Sequence, residues 1–310
     1  MRACTIIARN YLAHARVLAE SFLRHHPDSS FTVLVIDADS PPEETFEALL
    51  PSQIGLDERE FQRMVMIYDV LELATAVKPW LLRTLLAKGG DVVAYFDPDI
   101  EVFAPLDEIP ARAREHSIVL TPHITDAASR ESNEWAEDAV LRAGVYNLGF
   151  IGLGQGDETQ RFLDWWMERV ARECVVEPER GRFVDQRWID FAPSLFDASI
   201  IRDSAYNVAW WNLANRELAW TGERYEVNGE PLRFFHFSGY SPDEPHLLSK
   251  HHGPKPPVLL SDNPALVRIF GEYAEHLLAA GYREASSQPY GFGTRLPGGI
   301  ALDRRMRRLY

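Results

Sequence analysis

Short apolar runs alternate with longer amphipathic stretches through most of the chain, as they do when strands and helices take turns in an α/β protein. Residues 4–8, 31–36, 92–96, 117–120 and 145–153 are apolar runs of strand length, most of them rich in β-branched or aromatic residues. Between the first two, Leu12, Ala15, Leu18, Ala19, Phe22 and Leu23 share one face of a helix that starts near Tyr11 and ends at His25-His26-Pro27-Asp28. Strand, helix, strand opens a right-handed βαβ unit. Further helices are predicted over 43–50, 58–68, 77–87, 159–174 and 264–280. In the third, Pro79 sits in the first turn, where a missing N–H does no harm. In the fourth, Phe162, Trp165, Trp166, Val170 and Cys174 form the apolar stripe. Asn228-Gly229, between 224–227 and 232–237, predicts a β-hairpin.

The run at 92–96 ends in Asp97-Pro98-Asp99. Two acids at the end of a buried strand are costly unless a cation lies between them, and carboxylate oxygens suit Mg²⁺ or Mn²⁺. In a parallel sheet, ligands bind where the strands end. That rule places Ala8, Arg9 and Asn10, Asp37 and Asp39, and Asp97 and Asp99 on one rim. The fold class is α/β, a Rossmann-like mixed sheet flanked by helices in a single domain. A strand-terminal D-x-D also occurs in dehalogenase-type phosphohydrolases, but those carry it near the N-terminus and favour Thr or Val where this chain has Glu101.

Composition narrows the partners. A formal net charge of −14 argues against nucleic acid, and no apolar run is long enough to span a bilayer. Cys4 and Cys174 are too few for a disulfide framework, so a reduced, cytoplasmic setting is the expectation. Lysine is confined to Lys78, Lys88, Lys250 and Lys255. Lys78 opens a helix before Pro79-Trp80, and Lys250 precedes His251-His252. Either could serve phosphate as a compact point charge, or lie solvated on the surface.

His236, in Phe234-Phe235-His236-Phe237-Ser238-Gly239, is either a satisfied core histidine or a nitrogen ligand completing a mixed O/N site with the two aspartates. Asn147 and Gly149 interrupt an apolar run with an amide and a flexible residue, a mark of close approach by a ligand or another backbone. Asp185, before Gln186, reads as a helix cap or a site residue. Trp188, Trp210 and Trp211 are core residues or platforms for a sugar ring.

In order along the chain, these residues resemble the GT-A glycosyltransferases, most of all the retaining family-8 type that includes glycogenin and bacterial galactosyltransferases. Asp97-Pro98-Asp99 resembles the family's metal-holding D-x-D. Lys78 with Trp80 and Leu82 resembles its K-x-x-W/F-x-L helix, Asn147 with Gly149 its N-x-G strand, and Asp185-Gln186 its D-Q pair beside the transferred sugar. His236 and Gly239 resemble the start of H-x-x-G-x-x-K-P-W, whose histidine is the third metal ligand. The lysine expected after Gly239 is missing: Tyr240-Ser241-Pro242 follows, and Lys250 is the first lysine beyond. Either a longer loop returns Lys250 to the diphosphate, or that contact is lost.

The resemblance implies a GT-A domain over residues 1–285 and transfer from a nucleoside-diphosphate sugar, a UDP-sugar, to an acceptor hydroxyl on a carbohydrate or glycoconjugate. Mn²⁺ or Mg²⁺ would be held by Asp97, Asp99 and His236, with Lys78 and Lys250 on the diphosphate. Asn147, Gly149 and Gly239 would lie at the donor; Ala8, Arg9, Asn10, Asp37 and Asp39 would line the nucleoside pocket; Asp185 and Gln186 would face the sugar. A noncatalytic nucleotide-sugar or carbohydrate-binding module is the alternative. After a turn at 295–299, residues 286–310 end in Arg304-Arg305-Met306-Arg307-Arg308. This basic stretch reads as a contact for a membrane surface or a neighbouring domain, or as a solvated helix leading into a longer chain.

Overall fold

A computed structural model describes residues 1–127, 130–251, 258–292, 295 and 298–309, with the side chains of 130–136 and of Asp262 left aside. His252, Lys255 and the Leu296-Pro297 part of the predicted turn lie outside the described residues. The chain opens with β1 (Arg2–Ile7), α1 (Leu12–His25), β2 (Ser30–Val35) and β3 (Glu47–Leu49), then the helices α2 (Glu58–Ile67), α3 (Val70–Ala76) and α4 (Lys78–Ala87). Next come β4 (Val92–Phe96), β5 (Ile100–Val102), α5 (Glu108–Glu115), β6 (Ile118–Pro122), α6 (Arg130–Ala143), β7 (Tyr146–Gly154) and α7 (Asp157–Glu173). A small hairpin of β8 (Val176–Glu177) and β9 (Arg182–Phe183) leads to α8 (Gln186–Ile189), α9 (Ala192–Leu195) and β10 (Ala198–Ile200). The remainder is β11 (Leu218–Trp220), β12 (Tyr225–Val227), β13 (Glu230–Pro231), β14 (Phe234–His236), α10 (Pro264–Ala279), α11 (Tyr282–Ser286) and α12 (Arg304–Leu309).

Seven strands form the central sheet in the order β10-β6-β7-β4-β1-β2-β3. Only β7 runs against its neighbours, β4 and β6; the other pairings are parallel. Alternation along β1 serves both faces: Cys4 and Ile6 join the core under α2, α3, α4 and α7, while Ala3 and Ile7 join the one under α1 and α5. A third apolar cluster packs α10 on β11, β12 and β14. Among the described residues no helix is long and apolar enough to cross a membrane.

Two local expectations are corrected. The segment predicted as a helix over 43–50 instead contributes β3, an edge strand aligned on β2 with Thr32 opposite Glu47. The open edge of β2 takes the segment, and Glu47 gains the Thr32 hydroxyl (2.9 Å) and Lys88 Nζ (2.9 Å) by joining the sheet. The Asn228-Gly229 turn does form, with φ of 52° and 86°. It pairs β12 with Glu230–Pro231, however, and not with the following aromatic strand. That strand, β14, pairs with β5 instead.

The basic C-terminus forms the short helix α12, mostly exposed, with one face docked on the body of the protein. Arg307 is buried, and its Nη1 donates to the carbonyl oxygens of Val65 (2.9 Å), Met66 (3.2 Å) and Tyr68 (2.7 Å). These are the carbonyls that the end of α2 leaves without helical partners, the place where a cation is most favourable. Arg308 pairs with Glu72 and with Glu177 (2.8 Å).

Candidate active site

The site follows from one turn and one strand pairing. At the end of β4 the amide of Asp97 donates to Gly149 O (2.7 Å) and the amide of Ile100 to Asp97 O (3.1 Å), so the chain turns through Pro98 straight into β5. Antiparallel pairing of β5 with β14 sets His236 opposite Ile100, and Phe237 N donates to Asp99 O at 2.8 Å. His236 Nε2 therefore lies 3.1 Å from Asp99 Oδ1 and 3.7 Å from Asp97 Oδ2. One ligand atom from each of Asp97, Asp99 and His236 falls within 4.8 Å of the others. Tyr95 OH donates to Asp97 Oδ1 at 2.8 Å and leaves Oδ2 toward the imidazole.

Burial raises the pKa of Asp97, against the pull of Lys78 and His236. Its side chain keeps 29% exposure, so this is the desolvation of a cavity wall and not of a sealed core. At Asp99 burial also opposes ionisation, but His236 outweighs it and holds the carboxyl below its usual range. Burial disfavours charge on His236 too, while Asp99 and Asp97 lift it above the ordinary imidazole value. His236 Nδ1 is buried without a hydrogen-bond partner.

Asp97 and His236 line a cavity of about 550 Å³ together with Lys78, Asn147, Gly149, Asp185 and Gln186. The first turn of α4 buries Lys78, whose Nζ lies 2.8 Å from Asp185 Oδ2, donates to Leu148 O at 2.9 Å and sits 4.2 Å from the centre of the Tyr95 ring. Asp185 is the residue before α8 but makes no side-chain cap there; Lys78 takes its carboxylate. Burial pushes the Asp185 pKa up and Lys78 pulls it back.

Asn147 Oδ1 accepts from Gly149 N (3.1 Å) and Asn207 Nδ2 (3.0 Å), and Asn147 Nδ2 lies 3.2 Å from His123 Nε2. Gln186 bridges Leu148 N (3.0 Å) and Ala143 O (2.9 Å). Both amides thus fix the wall of the cavity through the backbone. Gly149 has a spatial reason: a Cβ there would fall 2.7 Å from Asn147 Oδ1 and from His236 Nδ1 and strike the imidazole ring. If Asp97, Asp99 and His236 hold a metal, Gly149→Ala is expected to raise the metal concentration for half-maximal activity by roughly tenfold, as loss of an orienting neighbour does. A metal titration of activity at matched thermal stability checks it.

A second cavity of about 220 Å³ is lined by Asp99 with Asn10, His14, Gly239 and Lys250. The loop after Gly239 folds back, with Lys250 N donating to Gly239 O at 2.9 Å. Lys250 thereby lines this cavity with Asp99, and not the one that holds Asp97, Lys78 and Asp185. Gly239 needs its φ of 75°, and a Cβ there would meet Ser249 Oγ and the His251 ring.

Arg9 and Asp37 also meet, but behind the rim. Asp37 accepts from Arg9 N and from Gly291 N, both at 2.8 Å, so its carboxylate is held by backbone. Ala8 is buried and Asp39 is exposed, with neither lining the two cavities.

Sequence reading missed His123, Asn207, Asn212 and His251. Asn207 and Asn212 flank Trp210-Trp211, and asparagines bracketing a tryptophan pair were the available signal. Asn212 Nδ2 donates to His123 O (3.1 Å) and Asn207 O (3.0 Å). Trp211 stands edge-on to both His123 and His236, with ring centres 5.5 and 5.3 Å away.

His123 and His14 are both buried, and burial brings each imidazole down from 6.5 to about 4. The unfolded chain binds a proton at each near pH 6.5 and the folded chain only near pH 4. Stability is therefore complete above about pH 6.5 and falls as the pH drops toward 4, by up to about 1.4 kcal/mol per pH unit for each histidine. Thermal melts between pH 7.5 and 4.5 should show this fall, and His123→Gln should make it shallower.

No family model matches the chain. Among curated proteins it is similar to the uncharacterized protein YfnF of Bacillus subtilis (strain 168), 28% identical over 248 residues that span 76% of this chain and 80% of the relative. It is also similar to the uncharacterized protein YfnD of the same organism, 25% identical over 251 residues, 76% of this chain and 77% of that one. Among solved structures, an active-site mutant of LgtC superposes with a TM-score of 0.53 and 15% identity, covering 89% of this chain and 95% of its own. The galactosyltransferase LgtC in complex with donor and acceptor sugar analogs gives 0.48, again at 15% identity, over 90% and 96% of the two chains. The shared architecture is the GT-A fold.

Proposed function

We propose that the protein is a metal-dependent glycosyltransferase that moves a sugar from a nucleoside-diphosphate sugar, a UDP-sugar, to an acceptor hydroxyl with retention of configuration, as in family 8. The observation that carries this reading is the meeting of Asp97, Asp99 and His236 on the wall of a cavity that also holds Lys78 and Asp185. Two carboxylates and an imidazole whose Nε2 faces both of them are a donor set that fits Mn²⁺ or Mg²⁺. Bound there, such an ion supplies positive charge against the diphosphate.

The other roles fall to the chain's own groups. Lys250, at the rim beside Asp99, meets the same diphosphate as a point charge. Asp185 stands across the cavity, where its carboxylate stabilises positive charge developing on the sugar, as carboxylates do in glycoside cleavage. Lys78 keeps that carboxylate ionised and in place. Trp210 and Trp211 wall the cavity and offer ring faces to the sugar. Gln186 and Asn147 hold β7 in register with α8, and Gly149 leaves the imidazole its space. Asp37 orders the Arg9-Asn10 turn through the Arg9 amide, and Asn10, which lines the second cavity, offers its side-chain amide to the nucleoside.

A screen of nucleotide sugars for Mn²⁺-dependent hydrolysis tests the reading. Release of UDP is the expected result. A thermal shift with UDP and Mn²⁺ but no hydrolysis of any donor would instead make the protein a noncatalytic binding module.

A further inference from the structure

We propose that Glu72, which lies outside the cavity, is a positioning residue that sets the register of the Lys78–Asp185 pair, with Arg308 as its counter-ion. The inference rests on the functional reading above for its kinetic part. Glu72 is 1% exposed, and a carboxylate so buried needs a full set of partners. Part of that set is ordinary helix capping: Glu72 N donates to Asp69 Oδ1 (3.0 Å), and Asp69 N to Glu72 Oε2 (3.2 Å). The rest is not. Glu72 Oε1 also accepts from Val176 N at 2.9 Å, the first residue of the β8–β9 hairpin, and Arg308 pairs with the same carboxylate while its Nε reaches Glu177 Oε1 at 2.8 Å.

One carboxylate thus ties two arms together. The first is α3, which passes through Val77 directly into α4 and Lys78. The second is the hairpin, which ends at Val184 and Asp185. Val184 has a φ of 45°, in the left-handed region that a β-branched residue enters only under strain. Its amide closes the hairpin onto Val175 O at 3.0 Å, and its side chain lines the cavity. A relaxed backbone at Val184 would turn Asp185 away from Lys78. The anchorage at Glu72 and Arg308 keeps the hairpin from relaxing.

The test compares Glu72→Gln, Arg308→Ala and Val184→Gly with Arg305→Ala, an exposed neighbour, as control. For each full-length protein, kcat and KM for donor turnover are measured per folded molecule, together with melting temperature and hydrogen exchange at the Val176 and Val184 amides. Glu72→Gln and Arg308→Ala should lower kcat about tenfold, leave the donor KM within about twofold, and speed exchange at both amides while β1 and β4 stay protected. Val184→Gly loses a buried side chain together with the strain, so it should melt lower than the parent, and it should lose kcat about tenfold per folded molecule, an outcome that a merely stabilising role for the hairpin would not produce. Parental kcat per folded molecule in Glu72→Gln and Val184→Gly would overturn the proposal, and these two decide it should Arg308→Ala fail to fold. If the parent protein turns over no nucleotide sugar, the functional reading fails by itself. Exchange at Val176 and Val184 then decides: faster in Glu72→Gln upholds the anchorage, unchanged overturns it.

Discussion

Asp97→Asn combined with Asp99→Asn is expected to abolish sugar transfer, by roughly a thousandfold or more, without unfolding the protein. The magnitude follows from what is removed: both carboxylates of the proposed cation site, where losing even a single electrostatic stabiliser of the transition state costs about a hundred- to a thousandfold. The fold survives because burial opposes the charge on Asp97, and Asp99 gives up only its pairing with His236. An amide keeps the acceptor oxygen for Tyr95 OH and the bulk of the side chain. The melting temperature should be unchanged or higher, since charge removed from a functional cluster often relaxes a stability–activity conflict. Near-parental turnover in the double variant, measured as metal-dependent UDP release, would sink the assignment of these residues.

Lys78→Ala should cost about 3–5 kcal/mol of stability in addition to activity, because it strands a buried charge. Lys78 and Asp185 are each 1% exposed on their side chains and 2.8 Å apart. Without the ammonium, Asp185 is left in an apolar wall, and its already raised pKa must climb further. A paired control separates stability from chemistry. Lys78→Met with Asp185→Leu removes both charges together and should recover most of the lost stability, as apolar replacement of buried ion pairs does, yet remain inactive. Chemical denaturation of the three proteins reads the first part and donor turnover the second. A double variant as unstable as Lys78→Ala would show that the pair is not the source of the effect.

Part of the site was legible in the sequence because its signals are local. The five strand-length apolar runs are strands β1, β2, β4, β6 and β7 to within a residue or two at their ends. Asp97-Pro98-Asp99 ends a buried strand, as its neighbours implied. Helix α3 escaped notice because its start is written in a capping box, Asp69 with Glu72, and not in an apolar period. The segment at 43–50 misled because its Glu, Ala and Leu have helical propensities that an open sheet edge overrode.

The alternation of strands and helices, the acids at a strand end and the residue types able to hold a cation are all written in the order of the residues. Each of these depends on side-chain periodicity or turn chemistry within a few residues. Which distant groups meet depends on how the strands and helices pack. His236 reached the aspartates through the pairing of β14 with β5, although the hairpin signal beside it pointed to another partner. Lys78 found Asp185, and Arg308 found Glu72. Among 32 lysines and arginines and 46 acids, charge alone leaves such pairings degenerate. The packing of the sheet removes the degeneracy, because a buried charge must take whichever partner the fold brings within reach.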